Sequence, residues 1–250
     1  STRAPSGAGA RAYRSATGAD PWTLVFSTDT TGSHADAGAT AFAHFGGKLF
    51  LGTTNVLDGA SLWRTDTASA ISAWTRVSTA GFGGGAHNAD VRDLKVFGGE
   101  LYAATGGTAT FHGQVWRSST GVDWHQILAA STTFSGNSRA VAALESFGGY
   151  LYAATLNAAG AQLWRAQVPT GTWTQLFTPD GDAATRFSAA ESLAVPALHA
   201  FAGSGASTGT FLYAGTWDPS RAAGARVYRS SDGVTWAPSN AAVNAVDLAV

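Results

Sequence analysis

Cysteine and methionine are both absent from the 250 residues of this sequence. Without cysteine there are no disulfides and no thiolate metal ligands. Without methionine, Ser1 is not a translation start, and the chain is expected to come from something longer by processing or excision. Charge is scarce as well. Charged residues make up 12%, the net charge is −1, and Lys and Arg form no run, which excludes a phosphate-tracking nucleic-acid surface. No apolar run approaches the roughly 18 residues of a membrane helix, so membrane insertion is not expected. The 3.6-residue apolar period is also missing, which argues against helical solenoids.

Glycine (31 residues), aromatics (11%) and hydrophobic residues (45%) are plentiful instead. This is the composition of a folded chain with many tight turns. Low charge with abundant Ala, Thr, Ser and Gly fits a secreted or cell-surface protein, and that localisation is the expectation.

One tripartite unit recurs along the chain. An apolar strand ends in a glycine turn in Ala41-Phe-Ala-His-Phe-Gly-Gly47, Asp93-Leu-Lys-Val-Phe-Gly-Gly99, Ala143-Leu-Glu-Ser-Phe-Gly-Gly149 and Ala197-Leu-His-Ala-Phe-Ala-Gly203. A second strand follows at once in Leu49-Phe-Leu-Gly-Thr53, Leu101-Tyr-Ala-Ala-Thr105, Leu151-Tyr-Ala-Ala-Thr155 and Leu212-Tyr-Ala-Gly-Thr216. An aromatic–Arg pair and then a tryptophan complete each unit. The arginines are Arg14, Arg64, Arg117, Arg165 and Arg229, at intervals of 50, 53, 48 and 64 residues. Gly-Gly between apolar runs is a hairpin signal, because glycine accepts positive φ. Four short strands at this period predict an all-β, five-bladed β-propeller of four-stranded antiparallel blades.

The predicted blades cover residues 38–79, 90–129, 140–178 and 194–238, with a closing blade made of 240–250 plus 1–28, all in one domain. Returning from Arg229 to Arg14 leaves only 35 residues, short of the 48 in the shortest full interval. The tail Val246-Asp-Leu-Ala-Val250 matches the start of a first strand, and the head matches third and fourth strands. The second strand of the closing blade is therefore expected to be missing from this chain. The turn after Phe201 is expected to widen over residues 202–210.

The segment Arg229-Ser-Ser-Asp-Gly-Val-Thr-Trp236 resembles a shortened Asp-box of sialidase-type (BNR) propellers, and Arg117-Ser-Ser-Thr-Gly-Val-Asp-Trp124 resembles it more weakly. The usual spacing is one residue longer. Asp-boxes are structural in that family and lie away from the active site, so the resemblance implies a fold and carries over no catalysis. In repeat length the chain is also similar, more loosely, to five-bladed lectins of the tachylectin type.

Function must sit where the repeats differ. Residues ten to twelve before each Gly-Gly turn connect successive blades and should share one rim with the loops after the second strands. They include His34 and Asp36, His87 and Asn88, Asn137, Glu191 and Asn240, with Asp90 and Arg139 just beyond. Polar groups converging on one concavity suit a ligand site, and the same residue types also cap turns. Eight of the nine tryptophans occupy repeat positions and are expected in the core. Trp217 does not; as the first residue of a rim loop it could stack on a sugar ring. On the innermost strands one repeat position holds Lys95, Glu145 and His199, with Ala43 and Ala249 in the other blades.

The expected function is ligand binding at the channel mouth, in the manner of a lectin, with a glycan or another small molecule as the partner. The sequence leans away from an enzyme. The alternative is a glycan-active hydrolase or lyase using channel carboxylates among Asp36, Asp90, Asp93, Glu145, Glu191 and Asp247. A third reading is a protein-binding scaffold. A sialidase site would need an arginine cluster and a tyrosine nucleophile, and Arg92 and Arg139 do not complete one. His34-Ala-Asp36, His87-Asn-Ala-Asp90 and Asp180-Gly-Asp182 are too sparse for a metal, so no metal or cofactor is expected. The oligomeric state is left open.

Overall fold

The computed structural model describes residues 9–28, 36–66, 73–107, 112–129, 138–158, 160–167, 171–177, 194–203, 209–217 and 225–239. His34, Asn137, Glu191, Asn240, the tail strand at 246–250 and residues 1–8 lie outside them. The C-terminal part of the expected closing blade, 240–250, and with it the pairing of the two termini therefore lie outside the described residues. The chain forms two compact halves, Ser1–Ile127 and Leu128–Val250, taken separately below.

In the first half, β1 (Arg11–Arg14) and β2 (Thr23–Ser27) form a hairpin. A four-stranded antiparallel meander follows: β3 (Gly38–Phe45), β4 (Lys48–Thr54), β5 (Leu62–Thr65) and β6 (Trp74–Arg76). The next meander contains β7 (Asp90–Phe97), β8 (Glu100–Gly106), β9 (Gln114–Ser118) and β10 (His125–Ala129). The second half repeats the plan. Its first meander is β11 (Ser138–Phe147), β12 (Tyr150–Asn157), β13 (Leu163–Ala166) and β14 (Thr174–Phe177). Its second is β15 (Ala194–Gly203), β16 (Gly209–Trp217), β17 (Val227–Ser230) and β18 (Ala237–Pro238). Helix is limited to two 3-10 turns, Ala80–Gly83 and Gly85–His87, among the described residues. No helix among them is long and apolar enough to cross a membrane.

The Gly-Gly pairs turn as the sequence demands. Gly98 and Gly99 sit at φ 58° and 79°, so Phe97 pairs directly with Glu100 across a two-residue loop. The last hairpin differs from the expectation. Its strands continue until Gly203 pairs with Gly209, so part of the expected wide turn is extended ladder. Trp217 likewise ends β16 inside the strand, where a loop residue was expected.

Meanders pack face to face within each half, through equivalent residues. In the first half Ala41, Phe50, Ala60 and Leu62 meet Val91, Leu94, Leu101 and Ala103. In the second, Ala143, Tyr152, Ala161 and Leu163 meet Val195, Leu198, Leu212 and Ala214. Each fully buried Leu contributes roughly 1.5–3 kcal/mol. Phe82, held at φ 56°, buries its ring in the first interface, stacked 5.1 Å from Trp116. Phe26 of the terminal hairpin packs 5.4 Å from Trp63 and 5.2 Å from Trp74 on the opposite face of the first meander. The tryptophans are not uniformly core. Trp164 and Trp236 are buried, whereas Trp22 is 53% exposed, because its face of the hairpin has no described neighbour.

The Asp-box-like turns have a definite geometry. In Ser230–Thr235 the Gly233 N–H donates to Ser230 Oγ at 2.8 Å. The N–H groups of Val234 and Thr235 donate to Asp232 Oδ1 at 2.8 and 2.7 Å. In the sister turn Gly121 N–H donates to Ser118 Oγ at 2.7 Å, and Thr120 Oγ1 takes the aspartate's place. The Val234 and Thr235 amides hold the Asp232 carboxyl down at about 2. A depressed folded-state value means stability that is present above the unfolded value, about 3.9, and lost as pH falls towards 2. Wild type is therefore expected to lose stability relative to Asp232→Asn as pH drops from 4 to 2, measured as urea midpoints. Parallel midpoints for the two proteins across that window would refute the assignment.

Candidate active site

The residues at the starts of the first strands are held in a repeated polar network. Asp36 is buried; its Oδ1 accepts from Asn55 Nδ2 (3.3 Å) and Ser61 Oγ (3.4 Å), and its Oδ2 from Trp63 Nε1 (3.1 Å). Asn88 holds the same place one meander later. Its Nδ2 donates to Gln114 Oε1 at 2.8 Å, which also takes Trp116 Nε1 at 3.0 Å, and its Oδ1 accepts from Thr105 Oγ1 at 2.7 Å. In the second half Ser138 plays this part, donating to Gln162 Oε1 at 3.3 Å and accepting from Asn157 Nδ2 at 2.9 Å. Gln162 in turn takes Trp164 Nε1 at 3.4 Å. Each network fixes the indole of a third strand, so Asp36 and Asn88 spend their polar atoms inside the protein.

The structure brings Asp36, Asn88 and Asp90 into one neighbourhood. Asn55 N–H donates to the Ala89 carbonyl at 2.7 Å, Ala60 N–H to the Asn88 carbonyl at 2.8 Å, and Thr54 pairs with Asp90. Asp90 is half-buried and bound to Arg92 at 3.0 Å. His87 and Arg139 are exposed. Trp217 is 48% exposed and pairs with Ala194. Among the described residues, no group of three or more His, Asp or Glu is arranged to hold a metal ion.

The first strands carry chemistry where the repeat itself does not need it. Strands β3, β7 and β11 each break register at one equivalent residue, Thr40, Arg92 and Ala142. Such bulges re-aim the side chains beside them. The residue after the bulge is Ala41, Asp93 or Ala143, and Asp93 Oδ1 accepts Leu94 N–H at 2.8 Å. Two residues on, Ala43, Lys95, Glu145 and His199 face Phe50, Tyr102, Tyr152 and Tyr213 across the ladder.

Glu145 and His199 meet. Glu145 is 3% exposed, its Oε1 takes Ser146 N–H at 2.7 Å, and its Oε2 lies 3.2 Å from His199 Nδ1. The imidazole is 74% exposed. A carboxylate withdrawn from solvent is thus joined to it through an accessible imidazole. In the sequence these are two isolated letters at one repeat position; only packing of β11 beside β15 makes them a pair.

No protein-family profile matches the sequence, and no curated protein matches it. Solved structures do resemble it. A glycoside hydrolase family 32 β-fructofuranosidase from Bombyx mori is 12% identical with a TM-score of 0.45, over 82% of this chain and 49% of that one. A family 117 glycoside hydrolase from Zobellia galactanivorans is 12% identical at 0.45, over 82% and 68%. A prolyl endopeptidase is 13% identical at 0.48, over 88% of this chain and 28% of that one. The chain thus spans about half the length of the Bombyx mori enzyme. No match confirms BNR repeats. Two expectations are corrected here. The carbohydrate-active proteins among these neighbours are glycoside hydrolases, so the lectin-like function and the leaning away from an enzyme are both withdrawn. At this level of identity the likeness itself extends to strand architecture alone.

Proposed function

We propose that the chain is a glycan-active hydrolase whose proton-transfer carboxylate is Glu145. One observation carries the reading: on a bulged first strand, at the position that holds alanine in the first meander, a buried glutamate is bound to an exposed histidine. Glycoside hydrolysis needs two carboxyl groups, one of them moving a proton. His199 links Glu145 to solvent. Trp217 offers an exposed indole as a platform for a sugar ring. His87 and Arg139, both exposed, together with His34, Asn137 and Glu191, are assigned to substrate contacts.

The proposal includes a five-bladed propeller closed by the two termini, in a secreted or cell-surface protein. The exposed hairpin supports closure. Tyr13 and Trp22, 47% and 53% exposed, match Tyr228 and Trp236, each 7% exposed beneath a neighbouring meander. The test of function is a screen of aryl glycosides and neutral and acidic oligosaccharides, read by released chromophore and by reducing ends. Turnover of at least one class is expected, and its absence across all of them at high protein concentration would end the proposal.

A further inference from the structure

Among the four full meanders, Arg64 lacks the partner that its three equivalents have. In the other three full meanders the arginine of the aromatic–Arg pair is answered by the residue just before the second strand's leucine. Arg117 lies 3.5 Å from Glu100, Arg165 sits 4.4 Å over the Tyr150 ring, and Arg229 sits 5.4 Å over Phe211. In the first meander that position is Lys48, a like charge, whose Nζ donates to the Asp66 carbonyl at 2.6 Å. Arg64 consequently has neither an acidic nor an aromatic partner among the described residues.

Arg64 instead lines an open groove of about 530 Å³ together with Arg76, Thr75, Ser78, Val122 and Trp124. Thr75 is its cross-strand partner, so hydroxyl and guanidinium share one face. Val122, 39% exposed, and Trp124 form an apolar wall contributed by the next meander. No acidic side chain lines the groove among the described residues. The combination is specific in kind. A guanidinium fork matches the two oxygens of a planar carboxylate, hydroxyls serve the neighbouring polar groups of a ring, and an indole edge with a valine suits the ring's C–H face.

We propose that this groove binds a uronic acid residue of a glycan, with Arg64 gripping its carboxylate. The site is distinct from Glu145 and His199, so its occupancy can be read by binding alone, whether or not the protein turns over any glycan. The experiment is calorimetric titration with trigalacturonate at low salt, where exposed charge pairs are least screened. Neutral maltotriose and inorganic sulfate serve as comparison ligands. Wild type should bind trigalacturonate and not maltotriose, and Arg64→Ala should weaken binding by about tenfold or more, the scale of one charge-assisted hydrogen-bonded contact. Arg229→Ala, whose guanidinium lies over Phe211, should bind as wild type does. Arg64→Gln and Thr75→Val, both expected to weaken binding, secure the result if the alanine variant fails to fold. The proposal is overturned by no binding of trigalacturonate, by equal binding of maltotriose, by displacement with equimolar sulfate, or by a folded Arg64 variant that binds like wild type.

Discussion

Glu145→Gln is expected to lower turnover of the protein's glycan substrate by about 10²–10⁴-fold, the range supplied by one positioned proton-transfer group. The fold should survive the change. Glutamine has the same shape, its oxygen can keep the Ser146 N–H that Glu145 accepts at 2.7 Å, and its amide can donate to a neutral His199 Nδ1. What is removed is the capacity to give and take a proton. The thermal midpoint should therefore move by only a few degrees while turnover collapses. His199→Ala should act more mildly, since an imidazole 74% exposed forms a screened contact worth little to stability. Turnover by Glu145→Gln within threefold of wild type would remove Glu145 from the chemistry, and with it the observation that carries the hydrolase reading.

The fold was largely legible because its signals are local. Phe-Gly-Gly needs only two positive-φ residues to pin a hairpin register, and Gly46–Gly47, Gly98–Gly99 and Gly148–Gly149 all supply them. Leu101, Tyr102, Ala103 and Ala104 read as alternating strand, and all four are fully buried. The site was less legible, because a polar letter before a strand has two uses. Asp36 and Asn88 could hold a ligand or hold an indole, and the choice depends on Trp63 and Gln114, more than 20 residues away in sequence. Trp22 shows the same limit from the other side. Its repeat position marks a core residue, yet burial requires a neighbouring sheet, which no local pattern encodes. The spacing of the Asp-box-like turns is a residue short of the family pattern, but the turn still forms, because Asp232 Oδ1 reaches both Val234 and Thr235 amides.

Gly233→Ala is expected to destabilise the second half by about 3 kcal/mol, from two additive causes. Gly233 sits at φ 72°, where an L-residue pays roughly 1–2 kcal/mol. A methyl group there would also collide with the hydroxyl of Tyr152, a fully buried side chain of the preceding meander, and overpacking of this kind costs about 1–3 kcal/mol. Gly149→Ala is the internal control. Its φ is 81° but nothing lies within 4 Å of the added carbon, so it should cost only the conformational part. The same lock exists in the first half, where a Cβ on Gly121 would strike the Phe50 ring. Phe50 and Tyr152 occupy the same repeat position, so the turn glycine of one meander is the socket for the second-strand aromatic of the meander before it. This makes the collision testable by a double-mutant cycle. Tyr152→Phe removes the hydroxyl, and Gly233→Ala in that background should recover about 1–2 kcal/mol of its cost as coupling energy, read from urea unfolding. Some penalty should persist, because the ring carbon Cζ of residue 152, which phenylalanine keeps, lies 2.7 Å from the added carbon and Phe147 Cδ1 lies 3.3 Å from it. Equal costs for Gly233→Ala and Gly149→Ala, with no coupling to Tyr152, would mean that the turn glycines serve backbone conformation alone and that the meanders are not keyed together through them.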